Sequence, residues 1–141
     1  MPTPLLTNVA LAGPYRVSDV QLPTLLQAAA ELPCTCINWT VTDKNTETSL
    51  KELGQQLGFP AHFGANFDAL YDCLCDPEVI AAGEAVIVIH QILQWSEDDR
   101  DTLIAVLQAV SDEWREQNRC FWALFNAAKL DLDPLPAITA R

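Results

Sequence analysis

The chain has 141 residues, the length of one ordinary domain, and 50% of them are apolar. This composition excludes an intrinsically disordered chain, and no apolar run reaches the roughly 18 residues that a membrane span needs. Nineteen acidic side chains outnumber eight basic ones and give a formal net charge of -11. We therefore expect neither nucleic acid nor an anionic membrane as a partner, and a cationic protein would be attracted quickly, although acidity also serves solubility alone.

The cysteines and the N-terminus both indicate a cytoplasmic protein. The five cysteines are odd in number and lie in apolar segments, which favours buried core thiols over a secreted disulfide framework. Arg16 is the first basic side chain, so the basic segment of a signal peptide is missing. Cys73 and Cys75 would point about 200° apart on a helix and could not share an ion, and we expect no metal ion and no other cofactor.

The first part of the chain predicts two helices with a strand between them. Residues 19–32 have the apolar spacing of a helix, and Pro23 suits its first turn. Residues 34–41 are β-branched and aromatic, which favours a strand. A second helix is predicted over residues 46–57, where leucines form one apolar stripe and Gly58 is placed to end the helix.

The middle of the chain predicts a loop followed by a short helix. The loop covers residues 59–65, and Asn66 is placed to cap a helix over residues 67–74. Residues 77–82 favour a short helical turn. The helix over residues 67–74 matters most for function, because it carries two aspartates on one face.

The last part of the chain predicts a strand, a long helix and a further strand. Residues 85–90 form a continuous apolar run, which is typical of a strand covered on both faces of its sheet. Ser96 is placed to cap a long helix whose first turn is acidic. Residues 120–125 predict a third buried strand, and we expect the four tryptophans to lie in or near the core.

Strands that alternate with helices predict an α/β fold, with a small parallel three-stranded sheet packed with helices. We divide the chain into an N-terminal extension (1–33) that packs on the core, a central domain (34–125) and a C-terminal tail (126–141) with little regular structure.

The helix predicted over residues 67–74 carries acidic residues that lower its own stability. At about 100° per residue, Asp72 lies about 40° from Asp68, and Asp76 about 80° from it. Tyr71 lies about 60° from Asp68 on the other side. Asp68 suits a helix N-terminus, but Asp72 lies in mid-helix and repels Asp68. The face is either merely solvated or is neutralised by a basic partner, with the tyrosine as an interface anchor.

Residues 59–74, with the sequence FPAHFGANFDALYDCL, resemble the signature of the barstar family of ribonuclease inhibitors. The most specific part is GANFDALYD at residues 64–72, and the resemblance extends more weakly over residues 34–125. It implies a barstar-like fold and a protein that is not an enzyme. It also implies a monomer that forms a 1:1 complex with a small basic, barnase-like ribonuclease, whose active site it plugs with carboxylates in the place of RNA phosphate.

The resemblance also assigns individual partner contacts. Asp72 is expected to enter the phosphate site and meet Arg and His side chains, with Asp68 as its neighbouring ion-pair partner and Tyr71 as an aromatic contact. His62 stands where family members often have a tyrosine, and Asp112 takes the position of a contacting glutamate. The remaining expected contacts are Asn66 and Asp76.

Two other functions compete with this interpretation. Two carboxylates on one face can act as a general acid/base pair, but that chemistry needs a concave, partly desolvated site, and no accompanying motif of a hydrolase is present. Alternatively, the scaffold serves as an immunity protein or interaction module for a different partner, such as a toxin nuclease domain. Inhibition of a toxin would depend on Asp72, whereas a remote interaction module would be indifferent to it.

Overall fold

A four-stranded parallel sheet forms the centre of the structure. The computed structural model describes residues 5–136, and no helix in that range is long and apolar enough to cross a membrane. The strands, in the order β1-β4-β3-β2, are β1 (Pro14–Arg16), β2 (Thr35–Thr40), β3 (Glu84–His90) and β4 (Cys120–Asn126). The helices are α1 (Leu22–Ala30), α2 (Thr46–Leu57), α3 (Phe67–Cys75) and α4 (Glu97–Glu116), with 3-10 turns at Leu5–Thr7 and Ile92–Gln94.

The parallel sheet packed with helices is confirmed, but the prediction of three strands is wrong. The additional strand, β1, comes from the N-terminal region and pairs with β4. It has three residues and begins with a proline, so it carries no alternating pattern that a sequence could reveal. Backbone hydrogen bonds hold it in place, from Ala123 N–H to Gly13 O at 3.2 Å and from Val17 N–H to Phe125 O at 2.9 Å.

Both faces of the central strands are covered, which explains their continuous apolar sequence. Ala85, Ile87 and Ile89 face the larger core, which α2, α3 and α4 complete. Val86 and Val88 face a second core, formed with α1 and the N-terminal segment. The helices thus lie on both sides of the sheet, with α3 and α4 together on one side.

Buried polar side chains anchor the N-terminal segment, residues 5–17, to the rest of the fold. The Ser111 hydroxyl donates to Ala12 O at 3.0 Å, and Trp122 Nε1 donates to Leu6 O at 3.0 Å. Both donors are completely buried. This segment therefore packs directly against α4 and β4.

Three predicted elements differ from those observed. The helix predicted over residues 19–32 is shorter, since α1 spans Leu22–Ala30. The helical turn predicted over residues 77–82 is shorter, since it consists of a single turn in which Ile80 N–H donates to Asp76 O at 3.1 Å. The tail is less irregular than expected, because Pro134 forms a bridge with Arg16 beside β1. Residues 137–141 of the predicted tail, and 1–4 of the predicted extension, lie outside the described residues.

The prediction of buried core thiols is confirmed for Cys120 and wrong for Cys36, while Cys34 and Cys75 are partly buried and pack against the two cores. Cys120 is buried, Cys36 is exposed on the outer strand β2, and the other three are half-buried. Burial raises the pKa of all five thiols, which are free. Within residues 5–136, no three His, Cys, Asp or Glu side chains lie close enough together to hold a metal ion. The four tryptophans are buried.

Candidate functional site: an acidic groove between two helices

Asn66 determines where α3 begins. Its side-chain Oδ1 accepts a hydrogen bond from Ala69 N–H at 2.8 Å, which is the geometry of a helix N-cap. The preceding Ala65 has a φ of 53°, a left-handed conformation that costs a non-glycine residue about 1–2 kcal/mol. On the far side of α3, Leu70 and Leu74 are completely buried. The helix is thus capped at its start and held against the core along one side.

Asp68 and Asp72 project from the opposite side of α3. Both are exposed, and neither has a hydrogen-bond or ion-pair partner for its carboxylate within residues 5–136. Asp68 is the second residue of α3, so its charge complements the helix N-terminus, while Asp72 lies in the middle of the helix. The free protein therefore exposes two adjacent negative charges that no described side chain neutralises.

Tyr71 lies beside the two carboxylates and is half-buried against the larger core. Its pKa is raised, chiefly by the negative charge that the neighbouring Cys75 carries when it is ionised to the thiolate. Glu113 and Asp72 raise the pKa further. The phenol consequently stays neutral at physiological pH and presents an aromatic surface next to the acidic side chains.

A groove of about 670 Å³ lies between α3 and α4, and we call it the acidic groove. The side contributed by α3 consists of Phe67, Asp68, Tyr71 and Asp72. The side contributed by α4 consists of Asp101, Thr102, Ala105, Val106 and Ala109. None of these lining residues is basic.

The two helices of the acidic groove run in the same direction. Asp68 and Asp101, which lie near the N-termini of α3 and α4, line the same groove. At the C-terminal ends, Trp114 Nε1 donates to Leu74 O at 2.9 Å. This buried hydrogen bond satisfies a carbonyl in the last turn of α3 and connects the end of α3 to α4.

Four of the predicted contact residues lie outside the lining of the acidic groove: His62, Asn66, Asp76 and Asp112. Asp76 is half-buried, and its carboxylate accepts a hydrogen bond from Glu78 N–H at 2.8 Å, which stabilises the turn after α3. His62 is exposed in the loop before α3. Phe59 and Phe63 anchor that loop by packing edge to face, with ring centroids 4.9 Å apart.

Asp112 is exposed, but its carboxylate already has partners. Its Oδ1 lies 2.8 Å from Arg115 Nη1 and accepts a hydrogen bond from Gln108 Nε2 at 3.0 Å. Arg115 also donates to Val9 O at 3.2 Å and Ala12 O at 2.6 Å, in the N-terminal segment. A cation from a partner would therefore compete with Arg115 for Asp112.

The structure adds two carboxylates that the sequence reasoning missed. Asp101 is exposed on the α4 side of the acidic groove. Glu113 is half-buried, and its charge raises the pKa of both Tyr71 and Cys75, so it lies close to the side of α3 that carries Tyr71. Both residues lie on the side of α4 that faces α3. The helical spacing of α4 predicts which of its residues share a face, but the sequence did not show that α3 packs beside that face.

These observations define a class of protein: a helix-covered parallel α/β protein with an acidic groove between two helices on one side of its sheet. A family model described as Barstar (barnase inhibitor) matches residues 40–126, which include α3, α4 and the groove between them. The chain belongs to the barstar family. This is a family of inhibitors rather than enzymes, and it implies a ribonuclease partner in general. No curated protein matches the chain.

Proposed function

We propose that this protein inhibits a small basic ribonuclease by plugging its active site with Asp68, Tyr71 and Asp72. The observation that carries the proposal is the pair of exposed carboxylates on α3, which have no partner within residues 5–136. The family indicates a ribonuclease as the kind of partner, and the charge of the face is the charge of the RNA phosphates that such an enzyme binds.

Binding would remove the electrostatic disadvantage of this face. In the free protein, carboxylates one helical turn apart repel each other by a few tenths of a kcal/mol, roughly the value for like charges on a helix surface. In the complex, each would be excluded from water and paired with Arg or His side chains, which form strong charge-assisted hydrogen bonds. Asp72 should contribute more than Asp68, because Asp68 already interacts favourably with the N-terminus of α3.

The test is a titration of the protein into a panel of small basic microbial ribonucleases while RNA cleavage is followed. The wild type should inhibit stoichiometrically, and Asp72→Ala should raise the inhibition constant at least about 30-fold, which corresponds to about 2 kcal/mol. Asp131→Ala is the matched control, since Asp131 is exposed after β4 and lies outside the acidic groove. It should inhibit as the wild type does.

Folding must be checked separately. Because Asp72 is exposed, Asp72→Ala should change the free energy of unfolding by less than about 0.5 kcal/mol. Equal inhibition by the wild type and Asp72→Ala would show that a different surface binds the nuclease. Weaker binding at higher ionic strength is expected for the wild type, since the contacts are between charged groups.

The alternative partner is the nuclease domain of a toxin, for which the protein would serve as an immunity protein. It is favoured by one observation: residues 5–39, which supply β1 and α1, lie outside the family match and provide a place for a different specificity. The same titration with toxin nuclease domains distinguishes the two partners. Inhibition that depends on Asp72 and is found only with a toxin domain would support the alternative.

A further inference from the structure

We propose that the nuclease contact continues from α3 across the acidic groove to the N-terminal half of α4, where a lysine or arginine of the nuclease lies along Ala105 with its charge beside Asp101. This inference rests on the proposed inhibition and identifies a second contact surface of the same site.

The shape of the groove leaves room for a long side chain. Ala105 and Ala109 lie one turn apart on α4, and both are exposed. Their methyl groups, with half-buried Val106 beside them, give the α4 side an apolar surface that larger side chains would have filled. The methylene stem of a lysine or arginine can cover such a surface while its charged end remains at a polar edge.

The charges of the groove decide what kind of side chain fits. Asp68 stands on the α3 side and Asp101 on the α4 side, and within residues 5–136 neither carboxylate has an ion-pair partner. A wholly apolar occupant would remove both carboxylates from water without compensation, and an acidic occupant would be repelled. A basic side chain with an apolar stem satisfies both the surface and the charges.

Asp101→Asn and Ala105→Leu test the two parts of the contact separately. Asp101→Asn removes the charge, and it should raise the inhibition constant at least about fivefold and weaken the dependence of binding on ionic strength. Ala105→Leu fills the place of the stem, and it should raise the inhibition constant at least about tenfold without removing any charge from the groove.

Matched controls exist for both variants. Asp98→Asn makes the same charge change on an exposed residue of α4 that does not line the groove, and Ala128→Leu makes the same size change on an exposed residue after β4. Both controls should stay within about twofold of the wild type. Because Asp101 and Ala105 are exposed, both test variants should retain wild-type stability in urea denaturation.

A double-mutant cycle then identifies the occupant. Each surface lysine and arginine of the inhibited nuclease is changed to alanine, and one of them should couple to Asp101→Asn but not to Asp98→Asn. If Asp101→Asn and Ala105→Leu inhibit like the wild type while Asp72→Ala has lost inhibition, this inference is wrong and the proposed function stands. If the wild type inhibits no basic nuclease at all, both are overturned.

Discussion

Replacement of Asn66 by alanine removes the hydrogen bond with which α3 begins. Asn66 is exposed, and its Oδ1 accepts from Ala69 N–H at 2.8 Å. Loss of such an N-cap costs about 1 kcal/mol, within a range of about 0.5–2 kcal/mol. In a domain of this size, that loss should lower the melting temperature by about 3 °C. Asn66→Asp keeps the oxygen acceptor, and since aspartate caps helices as well as asparagine does, its stability should remain close to that of the wild type.

Urea denaturation of the wild type, Asn66→Ala and Asn66→Asp measures these differences. If Asn66→Ala is as stable as the wild type, or if Asn66→Asp is as unstable as Asn66→Ala, the side chain does not stabilise α3 as a cap. The inhibition assay adds a second readout. Asp68 lies in the first turn of α3, so fraying of that turn in Asn66→Ala should also weaken inhibition, although Asp68 itself is unchanged.

Two further predictions concern the fold around the site. Trp114→Phe removes the donor to Leu74 O and leaves that buried carbonyl without its partner. The free energy of unfolding, measured by urea denaturation, should therefore fall by about 2–4 kcal/mol. A fall of less than about 0.5 kcal/mol would contradict this prediction. Stability should also fall at alkaline pH, because burial is the first cause that raises the pKa of Cys34 and Cys73, with nearby carboxylates as the second. A pKa raised in the folded state gives stability that is present below the unfolded thiol pKa and is lost as the pH rises through the folded one. The free energy of unfolding in urea should therefore be smaller at a pH of about 10 than at about 7. The double variant Cys34→Ser/Cys73→Ser should lose less stability than the wild type over the same rise in pH. An equal loss of stability in both proteins would refute the thiol explanation.

The sequence was informative where neighbouring residues alone determine the structure. The start of α3 could be predicted because Asn66, the acidic first turn and the spacing of Leu70 and Leu74 all lie within nine residues and agree with one another. The end of α2 is similar, since Gly58 has a φ of 72° and takes the left-handed conformation that suits a glycine after a helix.

What the sequence did not show depends on contacts between distant segments. β1 is stabilised by pairing with β4, more than a hundred residues further along the chain, and its own three residues do not favour a strand. Cys36 was misjudged because an apolar neighbourhood does not show that it lies on an outer strand. The groove was missed for the same reason, since Asp101 becomes part of the site only when α4 packs beside α3.

The two sides of α3 separate stability from binding. Complete burial of Leu70 and Leu74 supplies about 1.5–3 kcal/mol for each side chain, while the repulsion between Asp68 and Asp72 costs only a few tenths, roughly a tenth of that. The fold therefore tolerates the mid-helix charge of Asp72, which gives the free protein no advantage. It follows that Asp72→Ala should change inhibition alone, whereas Asn66→Ala should change inhibition and stability together. That difference separates Asp72, which affects binding alone, from Asn66, whose side chain also stabilises the start of α3.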